Sequence, residues 1–140
     1  NKNPNNNSGI NDLNDLWIRK KINGYWTFPI NIDQVNTPEN DLLLGIDKIH
    51  FYILRNNKII TYSNSEPYEK ISETELIGLD MENKNVSGSI DPLNNLIFLS
   101  IESFGSYGVE DIYYSKKIGN SWSRLNNSGS NLNSNFLLKA

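Results

Sequence analysis

The sequence predicts an all-β protein built from a tandem repeat of about 48 residues. The composition disfavours helices, because the one alanine among the 140 residues is Ala140 while isoleucine, asparagine and lysine are abundant. Alanine is the best helix former, asparagine is a poor one, and isoleucine and tyrosine favour strands. The other two observations are a hairpin motif that occurs twice and a middle copy between its two occurrences.

The hairpin motif occurs at residues 15–26 and again at 111–122, an offset of 96 (111 − 15). Each copy is typical of a strand, a two-residue turn and a second strand. The turn is Asn-Gly in the first copy and Gly-Asn in the second, and both pairs tolerate the positive φ of hairpin turns. Trp26 and Trp122 then stand at equivalent positions (122 − 26 = 96).

The offset of 96 spans two repeats, because another copy of the repeat lies between the two hairpin motifs. Similar segments begin at residues 36, 85 and 131, with spacings of 49 and 46. Residues 48–53 also match residues 95–100, with their phenylalanines 47 positions apart (98 − 51). The repeat period is therefore close to 48.

Four short strands are predicted in each full repeat. In the last repeat they cover 86–90, 95–101, 111–117 and 121–124, and in the middle repeat 42–45, 48–55, 58–64 and 75–79. Residues 15–20 and 25–29 are predicted as the last two strands of an earlier unit, and 136–139 as the first strand of a following one. Residues 72–75 (Ser-Glu-Thr-Glu) form a capping box that could instead begin a short helix.

Four antiparallel strands recurring every 40–50 residues are typical of β-propeller blades. The predicted fold class is therefore all-β, with about three four-stranded antiparallel blades as a segment of a six-bladed ring. A generic β-sandwich with similar hairpins is the alternative. The chain is interpreted as a single segment, divided into a partial blade at 1–35, blades at 36–84 and 85–130, and the start of a blade at 131–140.

Charge and hydropathy exclude several partners. The net charge of −3 and the pI of about 5.1 provide no basic surface, so nucleic acid is not an expected partner. No stretch approaches the roughly 18 apolar residues of a membrane helix, so direct membrane insertion is not expected. The chain has no cysteine, which excludes disulfides and thiolate metal sites.

Catalytic, cofactor and metal sites are not predicted. His50 is the sole histidine, and strand alternation places it opposite Ile49, Phe51 and Ile53. One histidine cannot form a histidine cluster, and neither a Gly-x-Ser-x-Gly elbow nor a calcium-binding or phosphate-binding loop is present. The neighbouring acids at 39 and 41, and at 110 and 111, have no apolar setting that would indicate glycosidase carboxylates. The chain is therefore predicted not to be an enzyme.

A family resemblance supports the propeller interpretation. Residues 91–98, 105–108, 111–113, 121–122 and 35–39 follow, in order, the elements of the TolB-type, WD-like propeller repeat of Gram-negative envelope proteins. The middle copy departs from that repeat, because threonine stands near the position where tryptophan is expected. The resemblance implies six-bladed propellers, often beside peptidoglycan-binding modules in OmpA-like lipoproteins, which act as binding platforms. It also implies a periplasmic or envelope location.

The propeller interpretation predicts roles for several residues. Trp26 and Trp122 are expected to be packing anchors, with a sugar-stacking platform as the alternative. Asp15 and Asp111 are expected to cap strands. The loop between blades and the loop between strands two and three should emerge on one rim, so Tyr107, Glu39 and Asn36 are the candidate binding residues.

The favoured function is a non-enzymatic binding or scaffolding propeller segment that engages protein or cell-wall partners through its rim loops. A carbohydrate-binding or glycosidase-related propeller is the alternative, and a sandwich-type adhesion module is a third. At 140/48 the chain supplies about 2.9 blades, whereas closed propellers have roughly four to eight. The expected partner is therefore the remainder of a longer chain or a second copy that completes the ring; peptidoglycan or another glycan is a further candidate.

Overall fold

The computed structural model describes residues 5–6, 14–79, 85–102 and 110–133, and their regular structure consists of strands alone. The prediction of an all-β chain is confirmed. The strands are β1 (Trp17–Ile18), β2 (Lys21–Ile22), β3 (Tyr25–Trp26), β4 (Ile30–Asn31), β5 (Asp41–Ile46), β6 (His50–Arg55), β7 (Lys58–Ser63), β8 (Lys70–Glu75), β9 (Val86–Asp91), β10 (Leu96–Ile101), β11 (Asp111–Ile118), β12 (Ser121–Trp122) and β13 (Asn126–Asn127).

These strands form three successive units. In the first unit β1 pairs with β4 and β2 with β3. The second sheet has the order β5-β6-β7-β8, and the third has the order β12-β11-β10-β9, with β13 also paired to β11. Every pairing is antiparallel. Within the described part of the chain the sheets do not close on one another, and the predicted blade boundaries remain predictions.

The predicted equivalence of the two hairpins is confirmed by their register. Lys21 lies opposite Trp26 in the first unit, and Lys117 lies opposite Trp122 in the third sheet. The other pairs obey the same offset of 96: Ile22↔Tyr25 and Ile118↔Ser121, Trp17↔Asn31 and Tyr113↔Asn127, Ile18↔Ile30 and Tyr114↔Asn126. One local fold therefore occurs twice.

The last strand of the second sheet lies elsewhere than predicted. It covers Lys70–Glu75 instead of residues 75–79, and the capping box at 72–75 lies within this strand and does not begin a helix. Its pairing with β7 places Thr74 opposite Ile59. Most of β8 is exposed, so it lacks the alternating apolar residues by which a strand is recognised. Residues 70–75 are therefore a strand because they pair with β7, and not because of their own sequence pattern.

Apolar side chains fill two interfaces between the units. One cluster lies between the second and third sheets, where β5 lies against β9 and β8 against β12. Its buried members are Leu44, Leu54, Ile59, Leu76, Ile97, Leu99, Ile101, Tyr113, Trp122 and Leu125. The other cluster joins Leu16 and Val35 of the first unit to Phe51, Ile53, Ile60 and Tyr62 of the second sheet. Full burial of one such side chain contributes about 1.5–3 kcal/mol, so these interfaces hold the units together.

The alternation predicted around His50 is confirmed. Phe51 and Ile53 face the first unit, whereas Leu54 packs towards the third sheet. Among the described residues there is no helix that could cross a membrane.

Candidate functional site

The first unit exposes two aromatic residues on and beside the β2–β3 hairpin, named here the first-unit patch: Trp26 and Phe28. Trp26 is 60% exposed and Phe28 88%. The hairpin is built by its turn, because Asn23 and the following glycine both have positive φ (49° and 86°), as a type I′ turn requires. Tyr25 is 81% exposed, but strand alternation directs it to the opposite face of the hairpin from Trp26.

Trp26 and Trp122 share one position in the repeat but differ in burial. In each case the paired lysine Nζ lies 6.0 Å from the ring centroid. Trp122 is only 6% exposed, because it packs in the cluster that contains Leu76 and Leu125. Trp26 is 60% exposed. The predicted role of packing anchor is therefore correct for Trp122 and wrong for Trp26 within this chain.

The third sheet also leaves one face uncovered, named here the third-sheet open face: Phe98, Ile112, Tyr114 and Ile118. These residues are 37–70% exposed, and Phe98 lies opposite Tyr114 across β10 and β11. A groove of about 350 Å³ runs over this face, lined by Ser87, Gly88, Ser89, Phe98, Leu99, Ser100 and Ile112. The opposite face of the same sheet is buried against the second sheet.

The three sequence-predicted binding residues have different outcomes. Tyr107 lies outside the described residues. Glu39 is exposed on the loop that precedes β5. Asn36 is only 7% exposed. A binding role for these residues stays a prediction, and the structure does not bring Asn36 to the surface.

The Asn36 side chain instead holds the backbone of Leu16, the residue before β1. Its Oδ1 accepts a hydrogen bond from Leu16 N (2.7 Å), and its Nδ2 donates to Leu16 O (2.8 Å) and to Asn31 Oδ1 (2.9 Å). Both Nδ2 hydrogens are thus used inside the fold. A partner could reach them only by displacing these bonds.

The third sheet contains the same amide clamp. Asn133 Oδ1 accepts from Ile112 N (2.8 Å), and its Nδ2 donates to Ile112 O (3.1 Å) and Asn127 Oδ1 (2.8 Å). Sequence reasoning missed this pair, although both asparagines stand in the segments recognised as repeated. The spacing of 97 between them, instead of 96, is a signal that was available but weak.

Asp15 and Asp111 occupy equivalent positions in these clamps. Asp15 Oδ2 accepts from Asn31 Nδ2 (2.8 Å), and Asp111 Oδ2 accepts from Asn127 Nδ2 (2.9 Å). Asp111 is 1% exposed. Hydrogen bonding to a neighbouring asparagine fits the structural role that the sequence predicts.

The surroundings of His50 are those of a tight loop. Asp47 accepts hydrogen bonds from Ile49 N (2.9 Å), His50 N (2.8 Å) and Tyr52 Oη (2.7 Å). The Tyr52 bond, followed by the backbone bonds, lowers the pKa of Asp47 to about 2. Burial and the Asp47 carboxylate raise the pKa of Tyr52 to about 12. Neither group is thereby tuned to exchange protons near neutral pH.

One further cavity, of about 130 Å³, lies between the first unit and the second sheet. Its lining is almost wholly apolar: Leu16, Trp17, Ile18, Ile32, Leu43, Ile46, Phe51, Asn64 and Tyr68. In the described residues no three histidine or acidic side chains converge as metal ligands. Among the described residues, the exposed aromatic and aliphatic side chains are the features that best suit a binding surface.

Comparison with family models, with curated proteins and with solved structures finds no match to this chain.

Proposed function

We propose that this chain is a non-enzymatic binding or scaffolding segment of propeller type, and that it engages a protein through the first-unit patch. The observation that carries the proposal is the opposite burial of two equivalent tryptophans, Trp26 and Trp122. Trp122 is buried where the second sheet packs against it, whereas no sheet among the described residues covers Trp26. A large aromatic ring exposed in this way is suited to binding another protein.

The stacking of the sheets supports the propeller part of the proposal. The first strands of the second and third sheets lie together, as do their outer strands β8 and β12. Propeller blades stack in this way around a common axis. The location in a bacterial envelope, and a cell-wall partner reached through the rim loops, rest on the sequence resemblance alone.

Site-specific photo-cross-linking in the cells that produce the protein tests this function. A photoreactive residue replaces Phe28 in the patch, and the matched control replaces Leu93, which is 93% exposed in a different part of the chain. We expect discrete protein adducts from position 28 and none from position 93. Equal labelling from both positions would show that the patch has no special role.

Carbohydrate binding is the second candidate, because exposed aromatic rings also stack on sugar rings. Trp26 and Phe28 provide two exposed rings. The distinguishing measurement is retention of the chain on peptidoglycan sacculi and on a glycan array. Retention that is lost on Trp26→Ser, without protein adducts at position 28, would replace the protein-binding proposal by this one.

A further inference from the structure

We infer that Asn23 is a site of spontaneous modification: the nitrogen of Gly24 attacks its side-chain amide, and the asparagine becomes aspartate or isoaspartate. The isoaspartate product disrupts the β2–β3 turn and thereby displaces Trp26. The functional consequence rests on the proposed function, because Trp26 belongs to the first-unit patch.

The reaction needs only water, and asparagine is among the chemically labile residues. The Gly24 nitrogen forms a bond to Asn23 Cγ, and the side-chain nitrogen leaves as ammonia with the proton of the Gly24 amide, so that a cyclic imide results. Water then opens the ring at one of its two carbonyl carbons. Opening at Cγ gives aspartate, whereas opening at the backbone carbonyl of Asn23 gives isoaspartate, in which the main chain runs through Cγ. Either product carries one more negative charge than asparagine.

The β2–β3 turn leaves both reacting groups accessible. Asn23 and Gly24 are exposed, and apart from the chain neighbours nothing lies within 4 Å of the place that a Cβ on Gly24 would occupy. Among the described residues, neither the Asn23 side chain nor the Gly24 amide makes a hydrogen bond. Because glycine has no side chain of its own, its nitrogen can approach Asn23 Cγ without obstruction.

The hairpin around the turn is short and exposed. Ring closure requires rotation about the bond between Cα and the carbonyl carbon of Asn23, which the closed turn restricts. Only the pairs Lys21↔Trp26 and Ile22↔Tyr25 join β2 to β3, and all four residues are exposed. Strands with few buried contacts open locally at a low free-energy cost. Local opening therefore gives the Gly24 nitrogen the freedom that the reaction needs.

Asn23 is the one asparagine of the chain that is followed by glycine. Asn64, Asn127 and Asn133 precede serine, and each of their side-chain nitrogens donates a hydrogen bond inside the fold. A side-chain amide that is held in this way is not free to meet the nitrogen of the next residue.

Asn120 is the matched comparison, because it lies in the turn of the equivalent hairpin and is also exposed. The residue after it is Ser121, whose side chain obstructs the approach that glycine permits. The same hairpin thus occurs once with a reactive pair and once with a slower one.

Of the two products, only isoaspartate changes the hairpin. It adds one carbon to the main chain of a two-residue turn whose positive φ angles match the twist of the flanking strands. The pair Ile22↔Tyr25 then cannot keep its register, and Trp26 on the following position is displaced with it. Aspartate retains the ordinary backbone and tolerates positive φ, so it leaves the turn intact.

Ageing the purified chain at mildly alkaline pH tests the modification. Isoelectric focusing is expected to show an acidic form that accumulates, and peptide mapping with enzymatic methylation of isoaspartate should locate it at position 23 and not at Asn120. Asn23→Asp should show no such shift over the same period. Ser121→Gly should raise deamidation at Asn120. An unchanged Asn23, or equal rates at Asn23 and Asn120 in the wild type, would overturn the inference.

Nuclear magnetic resonance tests the structural consequence without any partner. Cross-strand contacts between Ile22 and Tyr25 are expected in the fresh chain and in Asn23→Asp, and they should be lost in the isoaspartate fraction. Their persistence in that fraction would contradict the displacement of Trp26. If Asn23 deamidates and the pair is lost while position 28 gives no protein adducts in cells, the proposed function fails and the modification stands. If position 28 gives adducts but Asn23 does not react, the inference fails and the proposed function stands.

Discussion

Arg55 Nε lies 2.5 Å from Asp41 Oδ1, and both side chains are almost hidden from solvent. Arg55 also donates to Val35 O (2.6 Å), while Asp41 Oδ2 accepts from Thr37 N (2.7 Å). The pair thus ties the segment that leaves the first unit to the first two strands of the second sheet. Burial raises the pKa of Asp41, so the effect of desolvation on this carboxyl outweighs the hydrogen bonds from Thr37 and Arg55.

Removing one member of this pair should be severely destabilising. Asp41→Ala leaves the Arg55 guanidinium buried without its carboxylate, and loss of one partner of a buried pair typically costs about 3–5 kcal/mol. Urea unfolding monitored by circular dichroism measures the effect. Lys58→Ala, which breaks an exposed pair with Glu73, serves as the control and should leave the midpoint nearly unchanged. A small effect of Asp41→Ala would show that water or another group replaces the carboxylate.

The two amide clamps should contribute similar amounts to stability. Asn36→Ala and Asn133→Ala each remove two hydrogen bonds to backbone, of Leu16 and Ile112 respectively. A buried backbone group left unsatisfied costs about 1–3 kcal/mol, so both variants should unfold at lower urea concentration. Asn126→Ala is the control, because Asn126 is exposed and its Nδ2 donates to the nearby Arg124 O. An effect at Asn36 without one at Asn133 would contradict their equivalence.

Gly88 on β9 should not tolerate a side chain. A Cβ there would lie 2.4 Å from Leu99 Cδ2 and 2.6 Å from Phe98 O, and the second contact is with backbone that cannot rotate away. Gly88→Ala should therefore destabilise the chain by about 1–3 kcal/mol through displacement of β9 from β10. Ser89→Ala, at the next position of the same strand, should change the unfolding free energy by less than about 0.5 kcal/mol. Equal midpoints for the two variants would refute the close approach.

The Asp47 carboxylate should make stability depend on acidity. Its pKa falls from 3.8 to about 2 on folding, so its contribution is present above pH 3.8 and is lost as the pH falls through about 2. Asp47→Asn should therefore unfold at a lower temperature than the wild type at pH 5, and the difference should shrink towards pH 2. His50→Gln keeps the backbone donor to Asp47 but removes the imidazole, whose Nδ1 lies 3.7 Å from Asp47 Oδ1 and whose charge is the smallest of the effects that lower the Asp47 pKa. It should therefore stay close to the wild-type profile, with a modest loss of stability at acidic pH. A constant difference across this pH range would exclude the carboxylate as its source.

Local chemistry in the sequence was sufficient to predict the two hairpins and their equivalence. Asn23 and Gly119 stand in turns that demand positive φ, and few other residue pairs satisfy that demand. The period-two alternation in β6 likewise predicted which side of the strand carries Phe51. These features depend only on residues within a few positions of one another, so they can be recognised in a single chain.

Burial, in contrast, was decided by the tertiary structure. Trp26 and Trp122 have equivalent positions in the repeat and the same register, yet among the described residues a neighbouring sheet covers Trp122 and none covers Trp26. The position of β8 was decided by its pairing with β7. The internal role of Asn36 was decided by its hydrogen bond to Leu16, a residue 20 positions earlier in the chain. Turn conformation and strand alternation are encoded by neighbouring residues. The exposure of a side chain to solvent depends instead on which residues, distant in the sequence, pack against it in the folded chain.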